Sequence, residues 1–382
     1  MDIPRIYLDH AATTPMHPEA VVAMLPWLTG RTGNPSGSHQ ASRDARRAVD
    51  DARESIAAII GFDPGDVTFT SGGTEADNLA VLGRHQAVGG RVVCSAIEHP
   101  AVLEAAQSVG AEIAVVDGRG CLVIDQLSSM LDVASGTPVT LVSIMATNNE
   151  IGVIQPMADI AEVVRARAPQ AMLHTDAVQS LPWLDLRPLG ELVDAMSLSA
   201  HKFGGPTGVG VFAMRRGLEV SARQLGGGQE RERRSGTHNV AGIVAMAEAA
   251  RITDARRASE VVRIAALRDR LVDAVLARID DAFESGDRRV KVAGNAHLCF
   301  GGLDSEALLF LLDDAGVCAS AASACASGAQ HPSHVLEAIG IDRSLAGGSL
   351  RLTLGHTTTE ADVDGAIDAL VVAVERLRRF PR

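Results

Sequence analysis

The sequence predicts an α/β architecture, with a large domain on a mostly parallel sheet followed by a smaller α+β domain. Three observations carry that expectation. With 382 residues the chain exceeds the ~250–300 at which a single core stops growing, so one large and one smaller domain is the natural division. Short β-rich runs alternate with amphipathic segments over much of the chain, the order that βαβ units demand. A long helical stretch then interrupts the alternation and leads into a second, smaller set of strands and helices.

Taken in order, "DVTFT", "RVVCSA", "AEIAVV", "PVTLVSIM", "AMLHTD", "DAMSLS" and "GVGVFAM" read as short buried strands. Between most of them lie amphipathic segments such as "EADNLAVLGRHQAV" and "MADIAEVVRARA", which read as helices packed on the sheet. The helical stretch runs roughly from Val240 to Ile279. It leads to "HLCFGG", "EALLFLLDDAG", "SLRLTLG" and a final helix from Glu360, the parts of the smaller domain. No repeat, low-complexity tract or long Pro/Ser linker interrupts this order.

Composition narrows the partners. The balance of 35 Lys+Arg against 47 Asp+Glu gives a net charge of −12, and no basic stripe suggests a nucleic-acid surface. The five cysteines, Cys94, Cys121, Cys299, Cys318 and Cys325, are odd in number and form no C-x-x-C pair. With no signal peptide or long apolar span, the expected setting is a reducing cytoplasm, with no membrane and no metal site.

The chemistry concentrates at strand ends. In "DAMSLSAHKFGGPTGVG" a strand ends in Ser199, Ala200, His201 and Lys202, and that end of an open α/β sheet faces the crevice where ligands bind. A lone lysine is ordinarily a solvated charge. Two other strand ends change that reading. "HTDAVQS" puts Asp176 and Gln179 just after a strand, and "FTSGGTEADN" delivers Ser71, Gly72, Gly73 and Thr74 at a strand-to-helix turn. Glycine permits close backbone approach there, and the free N–H groups of a helix start attract a phosphate. Neither the P-loop nor the dinucleotide fingerprint is present. A phosphate cradle, a lysine able to form a Schiff base and an aspartate able to pair with a pyridinium nitrogen together describe a pyridoxal phosphate site. His99, in "CSAIEHPAV", could lie over the cofactor ring, although a histidine at a strand end is more often structural. Cys325 sits among Ala, Ser and Gly in "VCASAASACASGAQHPSHV", where a thiol has little to pack against; Cys318 lies closer to a strand and reads as inert.

Ten motifs, in order, resemble those of the cysteine desulfurases, a group I NifS-like branch of the class V aminotransferases within the fold-type I pyridoxal phosphate enzymes. They are "YLDHAATTP", "GNPSGSH", "FTSGGTEADN", "EHPAV", "TNNEIGVIQP", "HTDAVQS", "SAHKFGGPTGVG", "RSGTHN", "SACASG" and "LRLTLG". The resemblance implies a large cofactor-binding domain over 15–255 and a small domain formed by 1–14 with 256–382, the latter carrying a mobile Cys325 loop. It implies that Lys202 holds pyridoxal 5'-phosphate covalently, that Asp176 pairs with the ring nitrogen, and that Gln179 and Asn149 contact the ring. Gly73, Thr74, Ser199 and His201 would hold the phosphate, with Thr237 reaching that of the neighbouring subunit in a homodimer. Arg351, helped by Asn34, would clamp the substrate carboxylate, and His99 would stack on the ring and shuttle protons.

The implied reaction takes sulfur from L-cysteine, releases L-alanine and leaves a persulfide on Cys325 for an acceptor protein. Iron–sulfur cluster assembly or thiolation of tRNA or a cofactor are the destinations such an acceptor would serve. Ala200 stands where many relatives have Gly, a change that leaves the phosphate contacts intact. The extended tail that housekeeping relatives use to dock an iron–sulfur scaffold is not expected after "RLRRFPR". A selenocysteine lyase shares the fold and most of these residues. A class V aminotransferase would keep Lys202 but has no use for a loop thiol, and a non-catalytic scaffold need not retain Lys202, Asp176, His99 and Cys325 together.

Overall fold

The computed structural model describes residues 5–132, 136–321 and 333–379. In chain order its strands are β1 (Ile6–Tyr7), β2 (Val67–Thr70), β3 (Arg91–Ser95), β4 (Glu112–Ala114), β5 (Val139–Ser143), β6 (Met172–Asp176), β7 (Ala195–Ser199), β8 (Gly210–Met214), β9 (Ala282–Glu284), β10 (Asn295–Phe300), β11 (Val317–Cys318) and β12 (Ser349–Thr353). Among the described residues, seven of them form one sheet in the order β2-β8-β7-β6-β5-β3-β4, with β8 alone running antiparallel to its neighbours. The seven runs read as strands from the sequence supply this sheet, as expected.

Covering both faces with helices makes these strands buried throughout, which is why they read as continuous apolar runs. Successive residues still point to opposite layers. Val211 and Ala213 enter the core under helix Gln40–Ile60, while Phe212 and Met214 pack with Leu79, Val81 and Val102 on the other face. The helix expected at "EADNLAVLGRHQAV" forms as Gly73–Asn78 and Arg84–Val88 joined by a π-helical turn, Leu79–Gly83. Apolar spacing alone does not register that extra residue in the turn.

Helix Val240–Arg278 crosses between two cores. Ala245, Met246 and Ala249 pack with the large sheet; Ile264, Leu267, Leu271 and Val275 pack with a second cluster containing Leu298, Phe300, Leu350 and Leu352. That second cluster lies under an antiparallel sheet ordered β12-β10-β9 and the final helix, Glu360–Arg379. The N-terminus belongs to it as well: β1 pairs parallel with β11, and Asp9 bridges to Thr353 at the end of β12.

Candidate active site

The C-terminal ends of β2, β3, β5, β6 and β7 converge on one edge of the large sheet, the edge at which such folds bind ligands. A cleft opens there, lined by Gly73, Thr74, His99, Asn149, Asp176, Gln179, Ser199, His201, Lys202 and Arg351, together with Asp9, Asp77 and Ser320. Ten residues singled out from the sequence are thus gathered in one place. Asn34 and Thr237 do not line this cleft of their own chain: the Asn34 side chain accepts from the Ser36 amide at 3.0 Å, and Thr237 is exposed. Cys325 lies outside the described residues.

Each side chain is held by a local device. Lys202 ends a 3₁₀ turn, Ala200–Lys202, that follows β7 directly. Its Nζ donates to the carbonyls of Ala11 at 2.6 Å and Ala12 at 2.9 Å, and Gln179 Nε2 donates to the same Ala11 oxygen at 2.8 Å. His99 is the N-cap of helix Pro100–Ser108, where Pro100 occupies the position that needs no N–H. Its Nδ1 accepts the Ala101 N–H at 3.1 Å, which places the proton of the neutral ring on Nε2. Burial, with Lys202 and His334 nearby, holds the His99 pKa down at about 4, so the ring is neutral at pH 7. His201 is likewise lowered to about 4 by burial and Lys202.

Asp176 closes β6 and is buried. Burial pushes its pKa up to about 6, against the opposing pull of the Val178 amide, which donates to it at 2.8 Å, and of Lys202. Asp77 lies beside it, wholly buried, and is raised further by burial and by the Asp176 charge. His174 supports the pair from below, bonded to Ser143 at 2.8 Å and Ser197 at 3.0 Å and kept neutral by burial. At the phosphate end, Gly210 lets the turn at Gly72 lie flat on the sheet: an added Cβ would meet Leu198 O at 2.6 Å and Gly72 Cα at 2.7 Å.

Arg351 enters from β12 and is 4 % exposed. One terminal nitrogen donates to Asp9 at 3.0 Å and the other to the Asn149 carbonyl at 3.1 Å, while the buried Nε–H has no partner among the described residues. A buried, unmatched donor of this kind fits an incoming carboxylate. These features also fit pyridoxal phosphate. Gly73, Thr74, Ser199 and His201 offer donors for a phosphate, and Asp176 is a buried acid short of cationic partners at the opposite end. Asp9 and Asp77 escaped the sequence reading although both lie inside quoted motifs. Their roles depend on residues far away in the chain, and local spacing carries no sign of that.

The aminotransferase class-V family model matches residues 6–365 of this chain. An IscS-like cysteine desulfurase from Mycobacterium tuberculosis (strain ATCC 25618 / H37Rv) is 45% identical over 385 residues, covering 98% of this chain and 97% of the relative. A cysteine desulfurase IscS from Dictyoglomus turgidum is 40% identical over 382 residues, covering 98% and 95%. Among solved structures, a NifS-like protein superposes with a TM-score of 0.91 at 31% identity, covering 98% of this chain and 100% of its own.

Proposed function

The chain belongs to the aminotransferase class-V family, and from that premise we propose that it is a pyridoxal phosphate-dependent cysteine desulfurase, which takes sulfur from L-cysteine, releases L-alanine and keeps the sulfur as a persulfide on Cys325. The observation that carries the reading is the cleft itself, where Lys202, the buried carboxyl of Asp176 and the unmatched Arg351 donor meet. Lys202 would hold the cofactor covalently, Asp176 its ring nitrogen, Asn149 and Gln179 its ring, and Gly73, Thr74, Ser199 and His201 its phosphate. When bound, pyridoxal phosphate supplies the electron sink for negative charge at the substrate's α-carbon.

The protein's own residues divide the remaining work. Arg351 takes the substrate carboxylate on its Nε–H, already aligned by Asp9 and the Asn149 carbonyl. Lys202 would hold the α-proton of the substrate at Nζ. His99, neutral with its proton on Nε2, exchanges a proton with the substrate thiol side. The Cys325 thiolate attacks the substrate sulfur; an S–S bond forms as the C–S bond breaks, and the electron pair stays with the three-carbon fragment, which is protonated and leaves as L-alanine.

We assign 15–255 to the cofactor-binding domain and 1–14 with 256–382 to the small domain; position 255 falls between the two buried stretches of helix Val240–Arg278. Thr237 is assigned to the partner's phosphate in a homodimer, and Asn34 to the substrate carboxylate beside Arg351. A sulfur-acceptor protein completes the set of partners. No helix among the described residues is long and apolar enough to cross a membrane, and we place the enzyme in the cytoplasm.

The test is loading with pyridoxal phosphate, then measuring alanine and sulfide from L-cysteine, with L-selenocysteine in parallel to separate a lyase. Cys325→Ser should keep the spectral response to cysteine and lose sulfide production by at least about a hundredfold. Undiminished sulfide from that variant would remove Cys325 from the reaction and bring Cys318 forward.

A further inference from the structure

Glu150 is a buried carboxylate that none of the steps above uses. It is 5 % exposed, and its carboxylate accepts from the hydroxyl of Ser333. That hydroxyl in turn accepts from the amides of Val335 at 3.1 Å and Leu336 at 3.3 Å, capping helix His334–Ala338. Next to it, His334 Nε2 donates to the Glu98 carbonyl at 2.9 Å, one residue from His99. Ser333 follows Cys325 by eight residues.

Glu150 is also built into the support of the carboxylate clamp. Its amide donates to Asn148 Oδ1 at 2.9 Å, its carbonyl accepts from Asn295 at 2.8 Å, and its neighbour Asn149 gives the carbonyl that holds Arg351. On the other side of the Cys325 segment, Ser320 exchanges backbone bonds of 2.7 and 3.2 Å with Arg351 itself. Residues 320 and 333 are therefore both tied to the surroundings of one arginine. Burying a carboxylate costs several kcal/mol unless specific partners offset it, and an apolar side chain would fill the same space more cheaply. Burial holds the Glu150 pKa up at about 7, opposed by Ser333 and Arg351.

We propose that Glu150 is a positioning residue for sulfur transfer, whose bond to Ser333 fixes the end of the Cys325 segment relative to the Arg351 clamp. The inference rests on the desulfurase reading, and its test has an arm that does not. Glu150→Ala and Ser333→Ala should each lower kcat about tenfold or more with KM for L-cysteine within about twofold, because substrate binding is kept and the approach of the thiol is not. Glu150→Gln should restore most of the rate, since its amide oxygen still accepts from Ser333. The double alanine variant should be no worse than either single one, as expected of two ends of one contact.

Independently of turnover, alkylation of Cys325 by iodoacetamide, followed by mass spectrometry without cysteine present, should speed up about fivefold in both alanine variants and less than about twofold in Glu150→Gln. Melting curves identify any variant that fails to fold, and Glu150→Gln with His334→Ala then carries the comparison. Wild-type alkylation and wild-type kcat in folded alanine variants would overturn the proposal, as would additive losses in the double variant. If the loaded wild-type enzyme released no sulfide from L-cysteine, the desulfurase reading would fall while the alkylation rates still decided the role of Glu150.

Discussion

Glu230 and Asp176 are equally buried, each 6 % exposed, yet their carboxyl groups move in opposite directions. For Glu230, burial pushes upward, but Arg53, His238 and the Phe69 amide pull its pKa down to about 2. Arg53 reaches it with both terminal nitrogens, at 2.7 and 2.8 Å, while His238 and the Phe69 amide add bonds of 2.7 and 2.9 Å. For Asp176, burial wins and the value rises to about 6. The difference lies in the partners and not in the burial. Glu230 is fully matched by its own chain and locks the loop that runs to Thr237, whereas Asp176 is short of positive charge and suited to receive it from a ligand.

The sharpest way to break this contrast is to unmatch Glu230. Arg53→Met leaves an uncompensated buried charge and should destabilise the protein by about 3–5 kcal/mol, read from urea unfolding at pH 7. Arg53→Met with Glu230→Gln should recover part of the loss. The folded pKa of Glu230 is depressed, so its stabilising contribution is present above its ordinary value of 4.5 and is lost as pH falls towards about 2. A shift below about 1 kcal/mol for Arg53→Met would make this pair no better than a surface ion pair.

Asp176 should behave in the reverse sense. Asp176→Asn is expected to lower turnover about a hundredfold, by removing the charge proposed to face the cofactor ring, without lowering the stability of the cofactor-free protein at pH 7. Because its folded pKa is raised, the contribution of Asp176 to stability is present below the unfolded value of 3.8 and is lost as pH rises through about 6. Cofactor-free wild type should therefore lose stability relative to Asp176→Asn between those values. A variant that melts well below wild type at pH 7 would place Asp176 with Glu230 as a structural group.

These two sites also mark what could be read from the sequence. The strands of the large sheet are continuous apolar runs, and Asp176, Ser199 and Lys202 fall at or just after their ends, so the fold and the gathering of these residues in one cleft are legible from local pattern. Arg53 and Glu230 are 177 positions apart, Asp9 and Arg351 342 apart, and neither pair leaves a local trace. β1 and β11 have two residues each and meet across most of the chain, too short for any periodicity. Glu150 sits inside a recognised motif, but its partner, Ser333, becomes visible only once the chain has folded.

The smallest effect expected joins the two regions. Glu230, Arg231 and Glu232 all take left-handed backbone conformations, with φ of 50°, 56° and 63°, each costing about 1–3 kcal/mol in a residue other than glycine. The bonds to Glu230 offset that strain, Arg234 is tied to Glu75 at 2.8 Å, and Gly236 donates to Gln229 at 2.9 Å. The outcome is an exposed Thr237 on a loop fixed at several points, which suits a side chain that serves another subunit better than one left in solvent. Thr237→Val should weaken pyridoxal phosphate retention by about 1 kcal/mol, the worth of one hydrogen bond, or roughly fivefold. In wild type, dilution should release cofactor in step with dissociation of the proposed dimer, followed by light scattering and cofactor absorbance on the same samples. Arg53→Met, measured on its folded fraction, should show the same loss of retention, because the loop that presents Thr237 has lost its lock. A monomer that keeps its full cofactor would separate the two regions and leave the Glu230 lock a matter of stability alone.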